Sequence, residues 1–177
     1  DARNALLTEM TGEVARLVLR NNYLQSLALS LAERRGLEDF GFQQRLMQIL
    51  ETHGHLDRAV EFLPDDLALA DRRKRKVPLT RPELAVLLAY AKLTLYSDLL
   101  ESEVPDDPYL GRELARYFPK EMSSRYLDAL QAHRLRREII ATQLANSMIN
   151  RAGPTLMVRI ADQTGAAPDA IAFAFAA

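Results

Sequence analysis

An all-α fold, an irregular multi-helix bundle of about eight to ten helices around a central helix near residues 80–102, is what this sequence predicts. Three observations carry the prediction. Apolar residues recur at helical spacing in every segment of the 177 residues. Strand signals are missing: glycine is sparse, Asn-Gly and Asp-Gly dipeptides are absent, and β-branched runs do not alternate with polar residues. The connections are short and punctuated by Gly and Pro, which favours a bundle over a solenoid. No linker is long enough to force two domains, so residues 1–177 read as one all-helical domain.

Taken in order, Arg3 to Glu9 can form a short amphipathic turn, and a longer helix begins at Thr11. Its apolar face shifts phase from Val14, Leu17 and Val18 to Leu24, Leu27, Ala28 and Leu31, which predicts a kink or break at Asn21–Asn22. Gly36 after Arg34-Arg35 is a helix stop. Phe42, Leu46, Ile49 and Leu50 mark a helix ending near Gly54. Leu56 to Leu63 reads as another short one, closed by Pro64. Asp65-Asp66 can cap a helix over Leu67 to Arg73.

The central stretch, Leu79 to Ser102, has the best-marked start. Thr80 and Glu83 are spaced as a capping box, Leu79 and Leu84 as a hydrophobic staple, and Pro82 sits in the first turn. Leu84, Leu87, Leu88, Ala91, Leu95 and Leu99 then form a broad apolar face, so this helix needs neighbours on most sides. Beyond it, Asp107 caps a helix running from Pro108 to Phe118, and Glu121 to Leu130 is helical. Leu135 to Ala152 is the second strong helix, stopped by Gly153-Pro154. Two shorter helices follow, one ending at Gly165 and one beginning at Pro168-Asp169.

A net charge of −1 gives no electrostatic reason to expect nucleic acid or a membrane as partner. No run approaches the length of a membrane span, and no signal sequence opens the chain. Cysteine is absent, which removes disulfides, thiolate chemistry and cysteine-ligated zinc, and is compatible with the cytoplasm. Asp1 is not an initiator Met and the tail from Ala170 is apolar, so we read the chain as a fragment of a longer protein.

The seven glycines contain no G-x-G pair, and the one pair at P-loop spacing lacks the following Lys-Ser/Thr, so no phosphate-cradling motif is present. His53 and His55 beside Glu51 and Asp57 read more simply as a polar helix end than as a metal site. Nucleophilic catalysis lacks its parts. The pairs Asp65/Asp66 and Asp106/Asp107 read as helix caps. The basic run Arg72 to Lys76 has no interleaved aromatic residue to stack bases. We therefore assign no catalytic, cofactor-binding or metal-binding residue. Two uncharged polar stripes remain as interface candidates, Asn21, Asn22 and Gln25 on the first long helix and Asn146 and Asn150 on the second strong one. Phe173 and Phe175 of the apolar tail join them, because the last helix lacks a polar counter-face.

Lys92 falls in the apolar sector of the central helix, between Leu88, Leu99, Ala85 and Tyr96. Glu138 falls on the same side of its helix as Ala145 and Ile149. The economical expectation is that the two helices pack together and that Lys92 and Glu138 form a buried ion pair.

Several stretches together resemble one family: LTRPELAVLLAYAK at 79–92, DDPYL at 106–110 with YFP at 117–119, and HRLRREIIATQLANSMINRAG at 133–153. RNALLTEMTGEVARLVLRNNYLQ near the start and LDRAVEFLP at 56–64 agree in the same order. The whole is similar to the helical region that follows the catalytic domain in the large bacterial NAD-specific glutamate dehydrogenases. The resemblance implies a parent that oxidatively deaminates L-glutamate to 2-oxoglutarate and ammonia with NAD as hydride acceptor, as a cytoplasmic homo-oligomer. It implies no cofactor in this fragment, whose partner would be the catalytic domain of the same protein. A free-standing α-helical binding or regulatory module is the alternative.

Overall fold

The computed structural model describes residues 2–176, which form ten α-helices and, among those described, no strand. They are α1 (Ala2–Arg35), α2 (Phe40–Thr52), α3 (Asp66–Arg75), α4 (Arg81–Glu101), α5 (Gly111–Tyr117), α6 (Lys120–Arg125), α7 (Leu127–Gln131), α8 (Arg136–Ala152), α9 (Leu156–Thr164) and α10 (Pro168–Ala176). Two 3-10 turns, Val104–Asp106 and Pro108–Leu110, join α4 to α5.

α4 is the centre, as its sequence requires. The Glu83 carboxylate takes the Thr80 amide at 2.7 Å, the return half of the capping box. Leu84, Leu87, Leu88, Ala91, Leu95 and Leu99 are all buried. Its main neighbour is α8, which buries Ile140, Ala141, Leu144, Ala145, Met148 and Ile149. The two run antiparallel. Arg137 at the start of α8 donates to the carbonyls of Leu100 (2.8 Å) and Ser102 (3.0 Å) at the end of α4. These carbonyls lie at the helix end that lacks intrahelical donors, so an arginine there supplies what the backbone needs. Asp106 receives both Arg136 and Arg137, which places these arginines beside a carboxylate. The α4–α8 pair, the second half of α1, α2 and α10 enclose a single apolar cluster that runs from Ala28 to Ala172.

The capping acids behave as their positions suggest. Asp65 accepts from the Ala68 amide at 2.7 Å and Asp107 from the Tyr109 amide at 2.7 Å. Gly36 and Gly165 adopt positive φ after α1 and α9. At Gly36 an added Cβ would also crowd the Glu33 carbonyl at 3.3 Å, so glycine is needed there for space as well.

Three expectations are corrected. α1 is one helix through Asn21–Asn22, without a break. The phase shift that suggested a kink records where the body of the protein lies along the helix: Ala28 and Ala32 are buried, while Val14 and Val18 stand in solvent. Residues 56–63 form one turn instead of a helix, and the Asp57 carboxylate accepts the amides of Ala59 (2.9 Å) and Val60 (3.3 Å) at its start. These contacts cap a single winding, in which the Glu61 amide returns to the Asp57 carbonyl at 3.1 Å. Phe62 then adopts φ +55 and ends any winding. The helix expected over 121–130 is split into α6 and α7 at Tyr126 (φ −130). α10 is anchored by Ile171 and Ala172, which are buried among α4, α8 and α9.

Candidate functional site

The sequence singled out the seam between α4 and α8, and the helices do pack there. The ion pair is not made. Lys92 Nζ is buried and has no hydrogen-bond partner, and no carboxylate among the described residues lies within 4.0 Å of it. Register explains the miss. Arg137 sits against Leu100 and Ser102, so the first turn of α8, with Glu138, lies at the far end of α4 from Lys92's level. Eight residues separate Lys92 from Leu100, which is about 12 Å along the axis. Burial pushes the Lys92 ammonium down from its ordinary 10.5 to about 8.

A surface cleft of about 420 Å³ lies where the C-terminal ends of α1 and α8 meet. Its lining includes Arg34, Arg35, Glu38, Asp39, Asn150 and Arg151. Asp39 is 7 % exposed, 3.5 Å from the Arg35 guanidinium, and accepts from the Thr155 hydroxyl at 3.4 Å. The Asn150 side-chain oxygen is buried without a donor. Sequence reasoning named Asn150 here and missed Asp39 and Thr155, whose separation of 116 positions hides their contact. Such a cleft can hold a polar group, but it pairs no nucleophile with a base. Among the described residues no group of three or more His, Cys, Asp or Glu is placed to hold a metal.

The other interface candidates separate. Asn21, Asn22 and Gln25 are fully on the surface, whereas Asn146 is half-buried along α8. Phe173 is 39 % exposed, and Phe175 is half-buried under the Arg151 guanidinium, 5.8 Å from its ring centre. Arg73, Lys74, Arg75 and Lys76 of the basic run are exposed, and its three arginines have partners within the chain. Arg72 makes a bidentate pair with Glu83 (2.7 and 2.8 Å), Arg73 lies over the Phe40 ring and Arg75 meets Asp71. No helix among the described residues is long and apolar enough to cross a membrane.

One surface feature extends the polar stripe named from the sequence. α1 carries Leu7, Thr11, Val14, Val18, Asn22 and Gln25 at helical spacing on one face, every one exposed. The same face continues into Ala28, Leu29 and Ala32, which pack against the core.

Comparison with known proteins places the chain. The glutamate dehydrogenase C-terminal family model matches residues 76–177. The NAD-specific glutamate dehydrogenase of Pseudomonas aeruginosa is 48 % identical over 98 % of this chain, that of Halomonas elongata 46 % over 93 %, and that of Mycobacterium tuberculosis 36 % over 95 %. The chain spans only 10–11 % of the length of these relatives. It belongs to the glutamate dehydrogenase C-terminal family.

Proposed function

We propose that these residues are one non-catalytic helical domain of an NAD-specific glutamate dehydrogenase, serving structural support, subunit contact or regulation beside the catalytic domain of the same protein. The observation that carries this reading is the match over nearly the whole chain to a tenth of three much longer dehydrogenases. It favours a part of an enzyme over a free-standing binding module. The absence of G-x-G and P-loop sequences supports a site for NAD outside these residues. The parent, on this reading, is a cytoplasmic homo-oligomer that takes hydride from L-glutamate to NAD and releases 2-oxoglutarate and ammonia.

The test compares glutamate-dependent NADH formation by the full-length protein and by the 177-residue chain, with calorimetric titration of NAD into each. We expect activity and NAD binding in the full-length protein, and neither in the chain. Micromolar NAD binding by the chain alone would place cofactor recognition here and overturn the non-catalytic assignment.

A further inference from the structure

The exposed face of α1 is a docking surface, and we infer that its occupant is a helix of the parent polypeptide from outside these 177 residues. This rests on the proposed parent enzyme. The argument begins with the helix itself. At about 100° per residue, Leu7, Thr11, Val14, Val18, Asn21, Asn22 and Gln25 share one third of the circumference with Ala28, Leu29 and Ala32. Between Asn4 and Ala32 no charged residue falls within that third, although Glu9, Glu13, Arg16 and Arg20 occupy the rest of the same stretch. The last third of the face is core, with Ala28 and Ala32 buried against α4 and α8. Most of the remainder has no cover: Leu7 is 49 %, Val14 46 % and Val18 52 % exposed, while Met10 at its edge is half-buried and Glu13 on the adjoining face accepts the Lys120 amide. Depletion of charge is what sets the buried centre of an interface apart from the rest of a surface.

Size decides the occupant. From Asn4 to Gln25 this face is about 32 Å long, and a helix is about 10 Å wide, giving roughly 320 Å². A stable complex of separate chains needs about 800 Å² on each partner. Two copies of α1 alone fall well short. A segment of the same polypeptide does not face that requirement, because the covalent connection holds it at high effective concentration. The relatives place about nine-tenths of their length outside the matched segment, which is ample chain to supply one. The occupant's matching face is apolar, with Ser, Thr, Asn or Gln placed to bond Asn21, Asn22 and Gln25. A charged face would be left unpaired against it.

The experiment uses the full-length protein with a photo-reactive benzophenone amino acid in place of Val18, followed by peptide mapping of the cross-links. Hydrogen exchange of residues 4–25 is measured in parallel for the wild type and for Val18→Arg. We expect cross-links into residues outside the 177, and exchange over 4–25 about tenfold faster in Val18→Arg. Leu93→Arg, on an exposed position of α4 away from this face, should leave that exchange unchanged. Cross-links between two α1 helices, cross-links confined to the chain itself, or exchange unaffected by Val18→Arg would each overturn the inference. NADH formation by the same preparation separates the two claims: an active enzyme with an uncovered α1 refutes only the docking surface.

Discussion

Lys92→Met should make the protein more stable at neutral pH, an outcome opposite to that of breaking an ion pair. The Lys92 ammonium is buried without a partner on α4, the helix that packs most closely against α8. Burial lowers its pKa from 10.5 to about 8. At about 1.36 kcal/mol per pH unit, that difference corresponds to roughly 3.4 kcal/mol against the charged form. The side chain is not wholly enclosed, and screening by nearby water reduces the figure to about 2 kcal/mol. Met keeps the length and the apolar stem while removing the charge. Below pH 8 the folded and unfolded states both carry the proton, and the folded state bears the full cost of the buried charge. Between pH 8 and 10.5 the unfolded state binds more protons than the folded one, so wild-type stability rises relative to the variant. Above 10.5 the two should converge. Urea unfolding of both proteins at pH 7 and pH 10.5 measures this, and about 2 kcal/mol corresponds to roughly 4–8 °C in Tm for a chain of this size. A Lys92→Met protein destabilised at pH 7, or a difference that does not shrink with rising pH, would refute the reasoning.

Two further substitutions probe other parts of the fold. Burial pushes Glu83 up, but the Arg72 guanidinium and the Thr80 amide and hydroxyl outweigh it and hold its carboxyl below the usual 4.5. Its stabilising contribution is therefore complete above pH 4.5 and is lost as pH falls through the lower folded value. Glu83→Gln should cost about 2–3 kcal/mol at pH 7 by stranding Arg72 and weakening the cap, with the cost shrinking in acid; urea midpoints across pH 3–7 check it. Phe62 is 90 % exposed at φ +55, so its ring contributes little packing while its backbone carries left-handed strain of about 1 kcal/mol. Phe62→Gly should leave the melting temperature unchanged or slightly raised, and a fall of several degrees would show that the ring is held by the fold.

Local chemistry was legible in the sequence, and register was not. The Thr80–Glu83 box, the Asp65 and Asp107 caps and the Gly36 and Gly165 stops each depend on residues within a few positions of one another. The Asp57 turn was equally local and was still misread, because LDRAVEFL has helical spacing and a cap at Asp57, and only the left-handed Phe62 ends the winding after one turn. The Lys92–Glu138 pair failed at a different level. Helical wheels state which side of a helix a residue occupies and say nothing of how far one helix slides along another. That offset is set here by Arg137 finding the end of α4. The cleft at Asp39 and Thr155 was illegible for the same reason.

The family model begins at residue 76, between α3 and α4, yet Ala28, Phe40, Met47, Leu50 and Leu63 belong to the same apolar cluster as α4 and α8. Arg81, in the first turn of α4, is held by Glu33, the Ser30 hydroxyl and the Ser26 carbonyl of α1. A chain cut at the family border would bring that cluster to the surface and leave Arg81 without its partners. The border that evolution makes recognisable and the border at which the polypeptide can be divided are therefore different places in this protein. Truncations aimed at a self-sufficient unit have to keep at least the second half of α1.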